Sequence, residues 1–283
     1  GGAGTILNNL VALGVGEIRT VGFCGDDGEG YELRQALRRL PGVDSSRLLS
    51  TPERRTFTYC KPLLLHATRP PEELHRLDSK NWSPTPPAVE AALLDALEDA
   101  SGEADAVIIL DQVDLPDTGV VTATIREALG RLAIRRPDLL LLADSRRGLA
   151  GWPALGFKMN AAELGSLLGR PAPADPPGVA RLAAELARRQ ARPVFVTLSE
   201  RGIVGAGPDG TTAHVPAMPV RGPIDIVGAG DAVTANLATA LAAGAGLTEA
   251  MELAMAAAHL VVHQLGTTGT ASVAQIRACL GLG

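Results

Sequence analysis

The segment "DIVGAGD", from Asp225 to Asp231, places two carboxylates and two glycines at the predicted start of a helix. At a helix N-terminus the backbone N–H groups of Gly228, Ala229 and Gly230 would be unpaired and close to the positive end of the helix dipole. Glycine also lets an anion approach the backbone closely. The segment therefore predicts an anion site that suits phosphate.

Asp231 falls in the first turn of that predicted helix. A carboxylate beside bound phosphate is electrostatically unfavourable unless it accepts a proton from an attacking hydroxyl. This placement predicts Asp231 as the base of a phosphoryl transfer. The alternative interpretation is a glycine-rich turn in which Asp231 only caps the helix. The segment alone does not decide between the two.

A second segment, "KMNAAEL" at 158–164, places Asn160 and Glu163 three residues apart after a short apolar strand. An amide oxygen and a carboxylate at this spacing lie on one helix face. They can hold the water shell of Mg²⁺, which keeps several waters when it binds to protein. The alternative is a capping box, in which the same two side chains only satisfy the start of a helix.

Composition limits the classes of function. The 283 residues are 46% hydrophobic, which suffices for one large core, or for one core with a small appendage. A net charge of −5 without a basic run, together with 3% aromatic residues, argues against nucleic-acid binding. Three cysteines without a CxxC motif favour a reducing cytoplasm over a zinc site. Glycines and glutamates interrupt the Ala-rich stretch 232–262, so it predicts two packed helices and no membrane partner.

Short apolar runs alternate with helical patterns along the chain. The predicted strands are 18–23, 106–110, 139–143 and 194–198. The predicted helices are 30–40, 87–100, 118–135, 177–190, 229–243, 248–264 and 272–280. This alternation predicts an α/β fold with a mostly parallel sheet covered on both faces, and with ligands at the carboxyl ends of the strands. The polar segment "TLSERG" (197–202) lies at the carboxyl end of the predicted strand 194–198, where such ligands bind.

One insertion breaks the alternation. Residues 54–67 and 73–78 form a predicted pair of strands around a Pro-rich turn, typical of a small β lid spanning about 54–80. A Rossmann dehydrogenase is the rival α/β fold. The rival requires G-x-G-x-x-G after the first strand and an acid about twenty residues later, and "GFCGDDGEG" (22–30) lacks that spacing.

The motifs, taken in order, resemble the ribokinase-like (PfkB) carbohydrate kinase family over essentially the whole chain. They are "GGAGTILNNLVALG", "VGFCGDDGEG", "KMNAAE", "TLSERG", "DIVGAGD" and "LGTTGT". The lid segment "HRLD" and the ending "AAAHLVVHQLGTTGTAS" look most like the heptose 7-phosphate kinase branch. The resemblance implies a single three-layer α/β/α kinase domain over 1–283 with a β lid. It also implies ATP-dependent phosphorylation of a sugar or sugar-phosphate hydroxyl.

The resemblance also implies roles for individual residues. Asp231 would be the catalytic base, with the amides of Gly228, Ala229 and Gly230 as the anion hole. Asp225 would help to bind a monovalent cation such as K⁺, and Asn160 and Glu163 would organise Mg²⁺ through water. Residues expected to border ATP are Thr197, Ser199, Gly202, Gly266 and Thr267. Residues expected on the sugar side are Gly1, Gly2, Asn9, Arg76 and Arg147.

Several positions depart from the family pattern. Thr5 stands where the family has a sugar-contacting Asn, Ser199 replaces a glycine, and Met255 replaces an Asn near the nucleotide. His259 and His263, at i and i+4, suit either a metal pair or the lining of the nucleotide pocket. These departures leave open a non-catalytic nucleotide or sugar binder derived from the kinase family.

The family also has a first strand and about half of the lid ahead of the diglycine. Two explanations remain open for their absence here. Either these residues precede Gly1, or the chain is a truncated paralogue.

The arginines of the lid and of "LADSRRG" favour a phosphorylated sugar of the heptose 7-phosphate kind, because guanidinium groups suit phosphate. Arg76 and Arg147 are the predicted phosphate contacts. A nucleoside kinase is the alternative, but Phe57, Tyr59 and Trp82 are the only aromatic side chains available nearby. We also expect a homodimer formed through the lid.

Overall fold

The computed structural model describes residues 1–69 and 71–282. Its α-helices are α1 Gly2–Ala12, α2 Gly28–Arg38, α3 Pro87–Ser101, α4 Ala123–Arg135, α5 Ala161–Leu168, α6 Pro176–Gln190, α7 Ala229–Ala242, α8 Leu247–Val262 and α9 Val273–Cys279. A short 3₁₀ turn covers Ser199–Arg201. Its strands are β1 Ile18–Arg19, β2 Gly22–Gly25, β3 Val43–Asp44, β4 Leu48–Thr51, β5 Thr58–Cys60, β6 Leu63–Leu64, β7 Glu72–Glu73, β8 Leu77–Ser79, β9 Ala106–Asp111, β10 Leu140–Ser145, β11 Gly156–Asn160, β12 Val194–Thr197, β13 Ile203–Ala206 and β14 Thr212–Val215.

A six-stranded sheet forms the centre of the molecule, in the order β14-β13-β12-β11-β10-β9. Strands β9 to β12 are parallel, and β13 and β14 run antiparallel to their neighbours. Alternate residues of each strand serve opposite faces. Val194 and Val196 join the core formed with α3 to α6, whereas Phe195 joins the core formed with α7 and α8. The predicted three-layer α/β/α fold is therefore confirmed.

The lid lies in the predicted segment. β5 pairs antiparallel with β8, and β6 pairs antiparallel with β7. The buried guanidinium of Arg54 anchors the base of the lid by donating to the carbonyl oxygens of Ser83 (2.9 Å) and Thr118 (2.7 Å). Asp27 caps α2 and accepts hydrogen bonds from both the amide and the hydroxyl of Thr56. The motif "GFCGDDGEG" therefore serves as a structural turn at the base of the lid.

Two predicted boundaries are wrong. The helix predicted over 118–135 begins at Ala123, because the Thr122 hydroxyl accepts from Ile125 N and caps the helix there. The strand predicted over 18–23 is split into β1 and β2, which pair with β3 and β4 in two separate two-stranded sheets. Of the helices in the described ranges, none has both the length and the apolar character needed to span a membrane.

Candidate active site

The N-terminus of α7 forms the centre of the site. Gly228 caps this helix with a left-handed φ of 88°, which glycine adopts without strain. A Cβ at Gly228 would lie 2.7 Å from the carbonyl oxygen of Thr268. Glycine is therefore required at this position for two reasons, the left-handed backbone conformation and the close approach to the loop 264–270.

The amides at this helix start are only partly open. The Ala229 N–H donates to the carbonyl oxygen of Ile226 at 3.2 Å, so the expectation that all three amides would be unpaired is wrong at this residue. The turn that leads into α7 uses this amide. Within the described residues, the Gly228 and Gly230 amides make no backbone hydrogen bond, and no side chain caps the helix. These two amides can therefore receive an anion.

The carboxyl group of Asp231 lies half-buried beside these amides. Burial raises its pKa to about 6; Lys158 opposes this shift and Asp144 adds to it. A carboxyl group with this pKa is mostly ionised at neutral pH and still accepts a proton readily. Its chemistry therefore suits a general base.

Gly2 lies directly beside Asp231, although 228 intervening residues separate the two along the chain. A Cβ at Gly2 would stand 3.3 Å from Asp231 Oδ1 and 3.5 Å from Gln112 Cδ. Gly1 precedes it, and a Cβ there would lie 3.9 Å from the ring of Tyr59 on the lid. The diglycine thus leaves space between the carboxylate and the lid, where a small substrate can enter.

Asn160 and Glu163 form the capping box of α5. Asn160 Oδ1 accepts from Glu163 N at 2.9 Å, and Glu163 Oε2 accepts from Asn160 N at 2.8 Å. The second carboxylate oxygen, Oε1, makes no hydrogen bond within the described residues. Over the same residues, no cluster of three or more His, Cys, Asp or Glu side chains is suited to a metal ion. The capping box uses Glu163 Oε2 and Asn160 Oδ1, so Glu163 Oε1 and the exposed side of Asn160 are what remain to contact an ion. The pair therefore fits Mg²⁺ only through water.

Asp225 takes part in the loop that leads into α7. Its Oδ1 accepts from Val227 N at 3.0 Å, and its own amide donates to the carbonyl oxygen of Val262 at 2.8 Å. The carboxylate therefore shapes the backbone behind Gly228. Its other oxygen, Oδ2, makes no hydrogen bond in the described part of the chain.

The predicted ATP-bordering residues differ in their accessibility. Ser199, Gly266 and Thr267 are exposed, and Thr197 is half-buried. Gly202 is buried, and a Cβ there would lie 2.0 Å from the carbonyl oxygen of Val215. The glycine at this position is thus required by packing against β14.

The prediction that Asn9 contacts substrate is wrong, because this side chain is fully buried. Asn9 Nδ2 donates to the carbonyl oxygens of Thr5 (2.9 Å) and Gly269 (3.3 Å). It joins α1 to the loop 264–270. Sequence reasoning placed Asn9 by analogy with a sugar-contacting Asn, and the helical register of α1 turns it inward.

The two predicted phosphate-reading arginines are engaged in ion pairs. Arg76 pairs with Asp78 at 2.7 Å, and its guanidinium carbon lies 5.3 Å from the centre of the Tyr59 ring. Arg147 pairs with the buried Asp111 at 2.9 Å. Arg76 remains accessible on the lid, whereas Arg147 compensates a buried charge.

The structure adds residues to the site that the sequence analysis did not identify. Lys158 lies in the apolar strand β11, and its Nζ is 2.7 Å from Asp144 Oδ2 at the end of β10. Lys80 Nζ lies 5.7 Å from the centre of the Tyr59 ring and lines a shallow depression between lid and body, together with Trp82 and Asp114. A lysine within an apolar strand was the available signal for Lys158.

The histidines of α8 adjoin the loop 264–270. Their rings contact edge to face at 4.7 Å, and His263 Nδ1 lies 2.7 Å from the carbonyl oxygen of His259. Burial lowers the pKa of His259, and His263 lowers it further. The Gln264 side chain holds the loop by bonding both the amide and the carbonyl oxygen of Thr270.

The chain that forms this site matches a known protein family. The pfkB family carbohydrate kinase profile matches residues 1–274. The chain belongs to this family. As a pfkB-family member it is an ATP-dependent carbohydrate kinase, which confirms the predicted enzyme class.

Curated relatives of this pfkB-family chain carry the name "Bifunctional protein HldE". The protein from Hyphomonas neptunium is 32% identical over 284 residues, covering 100% of this chain and 56% of the relative. The protein from Nitrobacter winogradskyi is 34% identical over 271 residues, covering 94% of this chain and 53% of the relative. The chain thus spans about half the length of these relatives.

Solved structures share the pfkB-family fold. Phosphofructokinase-2 from Escherichia coli in complex with potassium has a TM-score of 0.74 at 19% identity, covering 99% of this chain and 86% of that one. Ribokinase from Cryptococcus neoformans in complex with ADP has a TM-score of 0.67 at 17% identity, covering 99% of this chain and 87% of that one. At these identities the likeness concerns the fold.

Proposed function

We propose that this kinase transfers the γ-phosphoryl group of ATP to a hydroxyl of a phosphorylated sugar, with Asp231 as the general base. The observation that carries the proposal is the half-buried Asp231 carboxyl at the start of α7, beside two open amides and the space left by Gly2. Phosphoryl transfer requires mainly positioning and charge stabilisation, and this arrangement supplies both.

In the proposed reaction, Asp231 accepts the proton of the sugar hydroxyl as the hydroxyl oxygen attacks the γ-phosphorus, and ADP leaves. The Gly228 and Gly230 amides receive the charge that develops on the transferred group. Asn160 and Glu163 would hold the water shell of Mg²⁺, and the ion would supply positive charge that offsets the charge of the phosphate oxygens. Asp225 would contribute to a monovalent-cation site behind the amides. Thr197, Ser199, Gly266 and Thr267 border the nucleotide.

The variant Asp231→Asn tests the base directly. It keeps the shape of the side chain and removes its ability to accept the proton, so turnover should fall by about 10²- to 10⁴-fold. Nucleotide binding, measured by calorimetry, should change little. A variant that turns over an accepted sugar as fast as the wild type would exclude Asp231 as the base. A wild type that binds nucleotide and sugar phosphates but turns over none of them would favour the non-catalytic binder.

For the substrate, we propose a sugar phosphate of the heptose 7-phosphate kind, read by Arg76 on the lid. The support is the resemblance to the heptose branch and the cations of Arg76 and Lys80 around Tyr59. Nucleosides are a poorer match, since a base needs aromatic surface and Tyr59 is already faced by these two cations.

For the location, we propose the cytoplasm, because the three cysteines form no disulfide.

Arg76→Glu tests this substrate class. The apparent affinity for a sugar phosphate should fall at least tenfold, while the affinity for the matching free sugar should barely move. Arg69→Glu is the matched control, because Arg69 is an exposed lid arginine in an ion pair with Glu72. Arg147→Glu is less suitable, since it would place a carboxylate against the buried Asp111. Equal losses for both sugars would remove the phosphate assignment.

A further inference from the structure

Lys158 and Asp144 form an ion pair on neighbouring strands beneath α7. β10 and β11 are parallel, with Ala143 opposite Phe157, and the pair follows one residue later in this register. Lys158 Nζ lies 2.7 Å from Asp144 Oδ2, and the side chains are only 10% and 15% exposed. Charges this deeply buried require a partner or a function.

The ammonium group of Lys158 also lies against the first turn of α7. A Cβ at Gly230 would lie 3.3 Å from Lys158 Nζ, so a larger residue at this position would displace the ammonium. Gly230 directly precedes Asp231 and carries one of the two open amides. The Lys158–Asp144 pair is therefore next to both the proposed base and the proposed phosphate position.

Two charged groups on neighbouring strands act on Asp231. Lys158 comes from β11 and Asp144 from β10. Lys158 favours the carboxylate, whereas Asp144 opposes it. Removing Lys158 would leave two carboxylates facing a site that must also hold a phosphoryl group. Two neighbouring carboxylates disfavour each other's ionisation, and both repel the phosphate.

We propose that Lys158 is a positioning residue for the phosphoryl transfer. Its ammonium group offsets the charge of Asp144, so that Asp231 stays ionised beside the transferred phosphoryl group. The proposal rests on the proposed role of Asp231 as the base. Asp144 holds the Lys158 ammonium group beside Gly230, because the ion pair orients the flexible lysine side chain.

The test is the pH dependence of kcat/KM in three variants, Lys158→Met, Asp144→Asn and the double variant. Lys158→Met should move the acidic limb upward by about one pH unit, so that kcat/KM at pH 6 falls about fivefold more than at pH 8.5. Asp144→Asn should move the limb downward. The double variant should lie closer to the wild type than Lys158→Met does. Lys158→Arg keeps the charge and should retain the wild-type limb.

The acidic limb should move upward in Lys158→Met and downward in Asp144→Asn, and these opposite shifts distinguish the proposal from a purely structural role. A purely structural role would lower activity equally at all pH values, and superimposable profiles for Lys158→Met and wild type would overturn the proposal. If Lys158→Met does not fold, Asp144→Asn and the double variant still decide, because an unchanged limb in both also overturns it. An active Asp231→Asn variant would instead remove the proposed base, whichever way the Lys158 profiles fall.

Discussion

Asp231 illustrates at the residue scale how a functional carboxylate opposes the stability of the fold that carries it. Its pKa is about 6 in the folded chain, against an ordinary value of 3.8. Above pH 6 the folded state therefore holds a half-buried anion that the unfolded state leaves in water, and this lowers the free energy of unfolding. Below about pH 4 both states bind the proton, so the penalty disappears.

Asp231→Asn should therefore raise the free energy of unfolding at pH 8 by on the order of 1–3 kcal/mol, with the gain vanishing near pH 4. Urea unfolding at the two pH values measures this difference. Asp95→Asn, at an exposed position of α3, is the control and should change stability little at either pH. A variant less stable than the wild type at pH 8 would contradict the assigned burial penalty.

The site could be predicted from local signals, but not from contacts between distant segments. "DIVGAGD" sufficed to place Asp231 in the first turn of α7, because glycine and acid types report the local backbone. Asn9 turned inward through the register of α1, which one sequence does not reveal. Lys158 was missed because its partner Asp144 lies on a neighbouring strand, and cross-strand pairing is not encoded by spacing along the chain.

At the scale of elements, the long amphipathic helices were predicted closely. α3 was predicted at 87–100 and spans Pro87–Ser101, and α6 was predicted at 177–190 and spans Pro176–Gln190. The antiparallel strands β13 and β14 were not predicted. They are four residues each, too short for periodicity to identify, and the register with β12 determines them.

The end of α6 carries a local strain that yields an element-scale prediction. Ala191 follows the helix with a φ of 52°, the left-handed region in which a Cβ is unfavourable. Ala191→Gly should raise the free energy of unfolding by about 0.5–1 kcal/mol, the relieved strain less the entropy of glycine in the unfolded chain. Ala180→Gly, inside the same helix, should lower it by about 1 kcal/mol. Chemical denaturation compares the two, and losses in both would contradict the strain at Ala191.

At the scale of the whole molecule, large apolar side chains are exposed on the lid and just beyond it. Leu65, Leu77 and Trp82 are 74%, 66% and 68% exposed. We propose that this surface packs against the lid of a second copy, since clusters of exposed apolar residues mark interaction sites. Sedimentation velocity should give twice the chain mass for the wild type, and a monomer for Leu65→Asp/Leu77→Asp. Ile134→Asp, 82% exposed on α4, is the matched control and should remain dimeric. A monomeric wild type at tens of micromolar would contradict the lid dimer.

The hydrogen bond from Asn9 to the loop 264–270 has a consequence for how the site assembles. Its two partners, Asn9 and Gly269, stand 260 positions apart along the chain. Contacts between such distant segments form slowly, because the entropy of closing the long intervening loop must be overcome before the contact stabilises the fold. The diglycine and the start of α7 should therefore come together late in folding, after the local helices have formed.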